Sequence, residues 1–171
     1  MFSGNAVILE PAKPVDGPVL SNLLELYIHD LSDVFALEIR EDGRFGYEKL
    51  PLYWSEPDHR FPFLIRCDGR IAGFALVTRG SPVTTDPDDF DLSEFFVARR
   101  YRRSGVGREA AFQLWNRHAV RWIVRVSEAN VGGCNFWTKT IAEYTGQTPT
   151  PSSHPGRLHP WRVFAFDSAS K

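Results

Sequence analysis

Two glycines one residue apart, Gly105 and Gly107, stand where an apolar strand gives way to a helix, and they limit what this chain can be. Before them run Phe95-Phe96-Val97-Ala98 and a turn holding Arg99, Arg100, Arg102 and Arg103. After them, Glu109-Ala110-Ala111-Phe112-Gln113-Leu114-Trp115 continues with helical spacing and strong helix formers. Glycine lets backbone come close to a ligand, and the first turn of a helix leaves N–H groups unpaired at the positive end of its dipole. With the arginines beside them, these donors make a site for a phosphorylated ligand.

The glycine pattern narrows the ligand. No Gly-x-x-x-x-Gly-Lys-Ser/Thr occurs, so a P-loop is excluded. Gly105-x-Gly107-x-x-Ala110 fits a loose dinucleotide fingerprint, and Glu128 follows at roughly the 20-residue spacing of its ribose carboxylate. That fingerprint expects the strand to run straight into the first glycine, whereas here four arginines intervene. Four cations suit a ligand with more phosphate charge than a dinucleotide carries. A plain basic surface and a simple tight turn are the bland alternatives.

Arg102-x-x-Gly105-x-Gly107, preceded by Glu94-Phe95-Phe96-Val97 and followed by a helix, resembles the acetyl-CoA signature of the GNAT superfamily of N-acetyltransferases. Asn130, followed by Phe136-Trp137-x-Lys139, resembles that superfamily's second cofactor segment, usually an Asn, then Phe-Tyr, then Lys. The likeness is closest from Phe61 to Tyr144. It implies acetyl-CoA as co-substrate, with the pyrophosphate on the N–H groups of Arg103, Ser104, Gly105, Val106, Gly107 and Arg108. Arg102 and Arg103 would add charge, and Asn130, Phe136 and Lys139 would be further contacts. The superfamily's strands splay apart near the positions of Phe96 and Val97, so a backbone N–H there is the expected oxyanion donor.

Acetyl transfer to an amine needs a base, an oxyanion donor and a leaving thiolate. Glu94 is the expected base. On an alternating strand it shares a face with Leu92 and Phe96, and bulky apolar neighbours raise a carboxylate's pKa toward a useful range. The resemblance agrees, since a strand glutamate at the matching position is the base in part of the superfamily. The alternative for Glu94 is a solvent-facing strand residue. At the usual tyrosine of the Phe-Tyr pair stands Trp137, whose indole cannot protonate a thiolate. Tyr144, two turns on, is the substitute candidate, with a core role as its alternative. The first helices of the superfamily frame the acceptor cleft, which puts Tyr27, Asp30 and Asp33 forward as substrate contacts. The alternative for those acids is a solvated helix face. Asp86, Asp88 and Asp89 in the following loop region add to a mild preference for a small cationic amine. A protein or peptide acceptor and a non-catalytic acyl-CoA-binding module are the rival functions, with a dinucleotide oxidoreductase behind them.

At 171 residues a single domain, 1–171, is expected. Net charge is −1, so nothing global calls for nucleic acid or an anionic membrane, and the longest apolar runs are too short to span a bilayer. No basic segment followed by an apolar core opens the chain, and the two cysteines, Cys67 and Cys134, make neither a disulfide framework nor metal spacing. The five histidines show no metal spacing either. A cytoplasmic enzyme without a metal follows, with a homodimer left open.

In chain order, Ala6–Glu10 reads as a strand and Asp16-Gly17-Pro18 as the start of a helix whose apolar positions run from Leu20 to Phe35. A helix broken at Pro51 comes next, and Asp68-Gly69 signals a hairpin between two apolar runs. Phe90–Ala98 is the central strand and Trp122–Val126 the next one. A helix from Val131 to Tyr144, a loop from Thr148 to Pro160 and a closing strand Trp161–Phe166 finish the plan. The order β-α-α-β-β-β-α-β-α-β is an α/β plan, and the resemblance implies the GNAT fold, a mixed sheet flanked by helices.

Overall fold

The computed structural model describes residues 6–168, so residues 1–5 and 169–171 of the expected domain lie outside the described residues. The elements are β1 (Val7–Pro11), α1 (Gly17–Phe35), α2 (Leu52–Ser55), β2 (Arg60–Cys67), β3 (Arg70–Arg79), β4 (Phe90–Val97), α3 (Val106–Arg117), β5 (Arg121–Ser127), α4 (Val131–Thr145), β6 (Ser152–His154) and β7 (Trp161–Asp167). The strands form one sheet in the order β1-β2-β3-β4-β5-β7-β6. Every pairing is antiparallel except that of β4 with β5. A dinucleotide-binding fold needs a parallel, doubly wound sheet, so the oxidoreductase alternative falls.

Local chemistry explains most boundaries. Asp68 and Gly69 both take positive φ, 50° and 76°, which is the mirror-image turn that matches the twist of the β2–β3 hairpin. Leu20, Leu24 and Ile28 repeat every four residues on α1 and bury one stripe. Leu20 and Leu24 of that stripe pack with Leu64, Phe74, Leu76 and Phe96 on one face of the sheet. On the other face, Val106, Ala110, Leu114 and Trp115 of α3 and Trp137 and Ile141 of α4 cover Phe63, Val77, Leu92 and Val124. The Thr148–Pro160 stretch, expected as loop, holds the short edge strand β6 paired with β7. Its two serines and histidine carry no apolar alternation, because an edge strand can be held by main-chain bonds alone.

Candidate active site

The parallel pair β4–β5 opens into a wedge. Phe90, Asp91 and Leu92 pair with Trp122, Ile123 and Val124, and there the pairing ends, although β4 runs on to Val97 and β5 to Ser127. The far edge of β4 stays bonded to β3 as far as Gly73↔Val97. From Ser93 on, the near edge of β4 therefore offers backbone donors and acceptors to whatever enters the wedge. Gly73 lets β3 come close to the end of β4, since a Cβ there would lie 1.9 Å from the Phe96 carbonyl oxygen.

At the end of β4 the chain makes the phosphate-type loop. Arg103 and Gly105 both adopt left-handed backbone, φ 60° and 85°, on either side of Ser104. A left-handed non-glycine residue carries a conformational cost, and such costs concentrate at functional sites. No side chain caps α3, whose N-cap is Gly105, so the leading N–H groups of the helix face outward. Gly107 sits under the Phe136 ring and against Val97, and a Cβ on it would come within 3.2 Å of that ring. Gly107, Val97 and Phe136 thus meet at the start of α3, beside Gly105 and Arg108. Among the described residues no group of three His, Cys, Asp or Glu side chains could hold a metal.

Glu94 lies where the wedge begins. The β3–β4 register slips between Leu76, opposite Glu94, and Val77, opposite Leu92, so Ser93 is an inserted residue. This bulge corrects the expected alternation. Leu92 belongs to the α3–α4 core, whereas Phe96 packs on the α1 side, where Glu94 meets Tyr27. The Tyr27 hydroxyl donates to Glu94 Oε2 at 2.7 Å and the Tyr47 hydroxyl to Oε1 at 3.1 Å. Burial pushes the Glu94 carboxyl above its ordinary range, against the two hydroxyls and Arg125, while Asp91 adds to the rise. Burial, and then the nearby Glu94 charge, push both tyrosines up in turn; Tyr53, on α2 behind them, is pushed up to about 12. Asp91, fully buried, receives both Nε and a terminal nitrogen of Arg125 at 2.8 Å. Arg125 also lies over the Trp161 ring, 5.6 Å from its centre.

Other residues named from the sequence fall elsewhere. Arg102 turns away from the helix N-terminus: its Nε donates to the Val97 carbonyl at 2.6 Å and its terminal nitrogen to Asp30. Asp30 also takes Arg99 at 3.0 Å; burial works to raise its carboxyl, but the two arginines carry it below its ordinary range. Asp33 is exposed on α1. Asp88 pairs with Arg79, and Asp89 is buried with its carboxylate 3.5 Å from Arg121, so neither is a free lure for a cation. Asn130 caps α4, accepting from the Gly133 N–H at 2.9 Å. Gly133 is needed there because a Cβ would lie 2.6 Å from the Asn130 amide. Lys139 extends into solvent near Glu143. Trp137 and Tyr144 do point the same way, but toward Trp115 in the core, and the Tyr144 hydroxyl donates to Asn116 at 2.9 Å.

Tyr47, Asp91 and Arg125 are the residues that sequence reasoning missed. Arg125 had a signal, a lone cation inside Trp122-Ile123-Val124-Arg125-Val126, and Asp91 a weaker one in β4. Tyr47 reads from the sequence as the start of the broken helix Tyr47 to Glu56, but it lies in the irregular segment before α2, whose helix begins only at Leu52. A cavity of about 480 Å³ lies away from the Glu94 carboxylate, walled by Trp54, Phe61, Phe63 and His118, and shares only Tyr53 with the cluster described above.

A family model described as the acetyltransferase (GNAT) family matches residues 22–141, more than half of the chain. No curated protein matches the chain in sequence at a significant level. Solved structures share the fold. An acetyltransferase from Thermus thermophilus superposes with a TM-score of 0.65 at 20% identity, covering 95% of this chain and 97% of its own. The yncA protein of Salmonella typhimurium with its cofactor acetyl-CoA gives 0.66 at 15% identity, covering 98% and 96%. A spermidine N-acetyltransferase from Vibrio cholerae gives 0.62 at 9% identity, covering 95% and 94%.

Proposed function

The chain belongs to the GNAT family of acetyltransferases, and we propose that it transfers acetyl from acetyl-CoA directly to an amine, with Glu94 as the base. The observation that carries this reading is the placement of Glu94: a half-buried, hydrogen-bonded carboxylate on the strand that leads into the glycine loop. Acetyl-CoA fits what surrounds it. The uncapped start of α3 and the Gly105 turn suit a pyrophosphate, Val97, Gly107 and Phe136 suit the pantetheine arm, and the free edge of β4 suits its amides. When bound, it supplies a thioester whose carbonyl carbon is open to attack and whose sulfur leaves as a thiolate.

The chain's own groups do the rest. Glu94 takes the proton that the amine must lose, and its raised affinity for protons makes it a stronger base than an exposed carboxylate. A backbone N–H of β4 beyond Leu92 donates to the developing oxyanion. No side-chain acid is assigned to the thiolate, because Trp137 cannot serve and Tyr144 is committed to the core. A thiolate leaves adequately without one.

The acceptor class is an amine. Support for a cationic acceptor is thin, because Asp30, Asp88 and Asp89 are engaged by arginines and only the exposed Asp33 remains of the acids named on α1. The test is release of free thiol from acetyl-CoA against a panel holding spermidine, amino acids and peptide N-termini. An accepted amine should be acetylated roughly 100-fold more slowly by Glu94→Gln, with acetyl-CoA affinity kept. Equal turnover in the variant removes Glu94 from the mechanism.

A further inference from the structure

We propose that Tyr27 and Tyr47 are positioning residues that clamp Glu94, one hydroxyl on each carboxylate oxygen, and keep it ionised and aimed at the wedge. The inference rests on the reading of Glu94 as the base. The two hydroxyls come from different elements, α1 and the segment before α2, and converge on one carboxylate at 2.7 and 3.1 Å. Tyr27 is itself fixed edge-on to Phe74 and Phe96, with ring centres 5.6 and 6.1 Å apart. An ionised carboxylate has about four lone-pair positions, so two phenols still leave it able to accept from an amine.

The electrostatics give the clamp its purpose. Every element packed around Glu94 contributes: Tyr27 from α1, Tyr47, Tyr53 from α2, Asp91 from β4 itself and Arg125 from β5; its partner on β3 is the uncharged Leu76. Burial and Asp91 favour the neutral acid, whereas the two phenols and Arg125 favour the carboxylate. A base that protonates too readily is lost at neutral pH, and one that is too acidic takes no proton. The phenols set the balance without adding charge, and because burial pushes their own pKa up they stay neutral donors wherever the enzyme works.

The test is a direct titration of Glu94 that needs no acceptor. Protein labelled with 13C at the glutamate side-chain carboxyl is titrated by NMR, and the Glu94 resonance is identified by its loss in Glu94→Gln. Tyr27→Phe and Tyr47→Phe keep the ring and remove only the donor. Each should raise the Glu94 midpoint by roughly one pH unit, and the double variant should raise it further. Midpoints unchanged or lowered in both single variants overturn the clamp, and if one variant does not fold the other decides alone. Calorimetry with acetyl-CoA on the same samples keeps the outcomes apart: failure to bind counts against acetyl transfer, while the titration still decides what the tyrosines do to Glu94.

Discussion

The loop from Arg99 to Arg108 is made by one stretch of chain, whereas the Glu94 cluster is assembled from α1, the segment before α2, β4 and β5. In the loop, two left-handed residues and an uncapped helix create the donors, and the relevant groups are backbone. In the cluster the groups are side chains that meet only when the sheet has formed: Tyr27 and Glu94 lie 67 residues apart in the chain and Tyr47 and Glu94 lie 47 apart. A backbone site tolerates most side-chain changes but not an added Cβ at its glycine. A tertiary cluster should instead fail through lost partners. Asp30 joins the two regions, holding Arg99 and Arg102 of the loop from a position one turn beyond Tyr27 on α1.

The sharpest way to break the cluster is to remove the cation beneath it. Arg125→Met leaves the fully buried Asp91 carboxylate with no cation and only the Ser81 and Ser93 hydroxyls as donors, and should cost about 3 kcal/mol in urea unfolding. A loss under about 1 kcal/mol would mean that water reaches Asp91 and that the pair does not hold the wedge in place. The bridge between the regions should matter far less. Asp30→Asn removes two ion pairs, to Arg99 and Arg102, whose side chains are 77% and 41% exposed, and about 1 kcal/mol or less of stability should go with them. A larger loss would show that the loop depends on α1 and is not built by its own stretch alone.

How much could be read in advance follows the same division. The buried stripe of α3, the mirror-image turn at Asp68-Gly69 and the glycine loop are local, so spacing and residue type were enough. The face of Glu94 was read correctly with respect to Phe96 and wrongly with respect to Leu92, because alternation carries no mark of the bulge at Ser93. Arg102 shows a related limit. The motif locates its backbone, but the direction of a long cation depends on which carboxylate is nearest in space, and that is Asp30. Tyr47 escaped for a third reason, since the helix read from Tyr47 to Glu56 forms only from Leu52 to Ser55 and leaves Tyr47 in an irregular segment whose orientation no spacing fixes.

The most direct test of the central claim is calorimetry of acetyl-CoA binding to three proteins: the unaltered chain, Gly107→Glu and Glu94→Gln. Gly107→Glu sets a bulky anion against the Phe136 ring at the mouth of α3, while Glu94→Gln leaves the loop untouched. Binding should weaken at least about tenfold, or about 1.4 kcal/mol, in Gly107→Glu and stay within about twofold of the unaltered protein in Glu94→Gln. Undiminished binding in Gly107→Glu, or no binding to the unaltered chain, would contradict the claim that this loop is where acetyl-CoA is held.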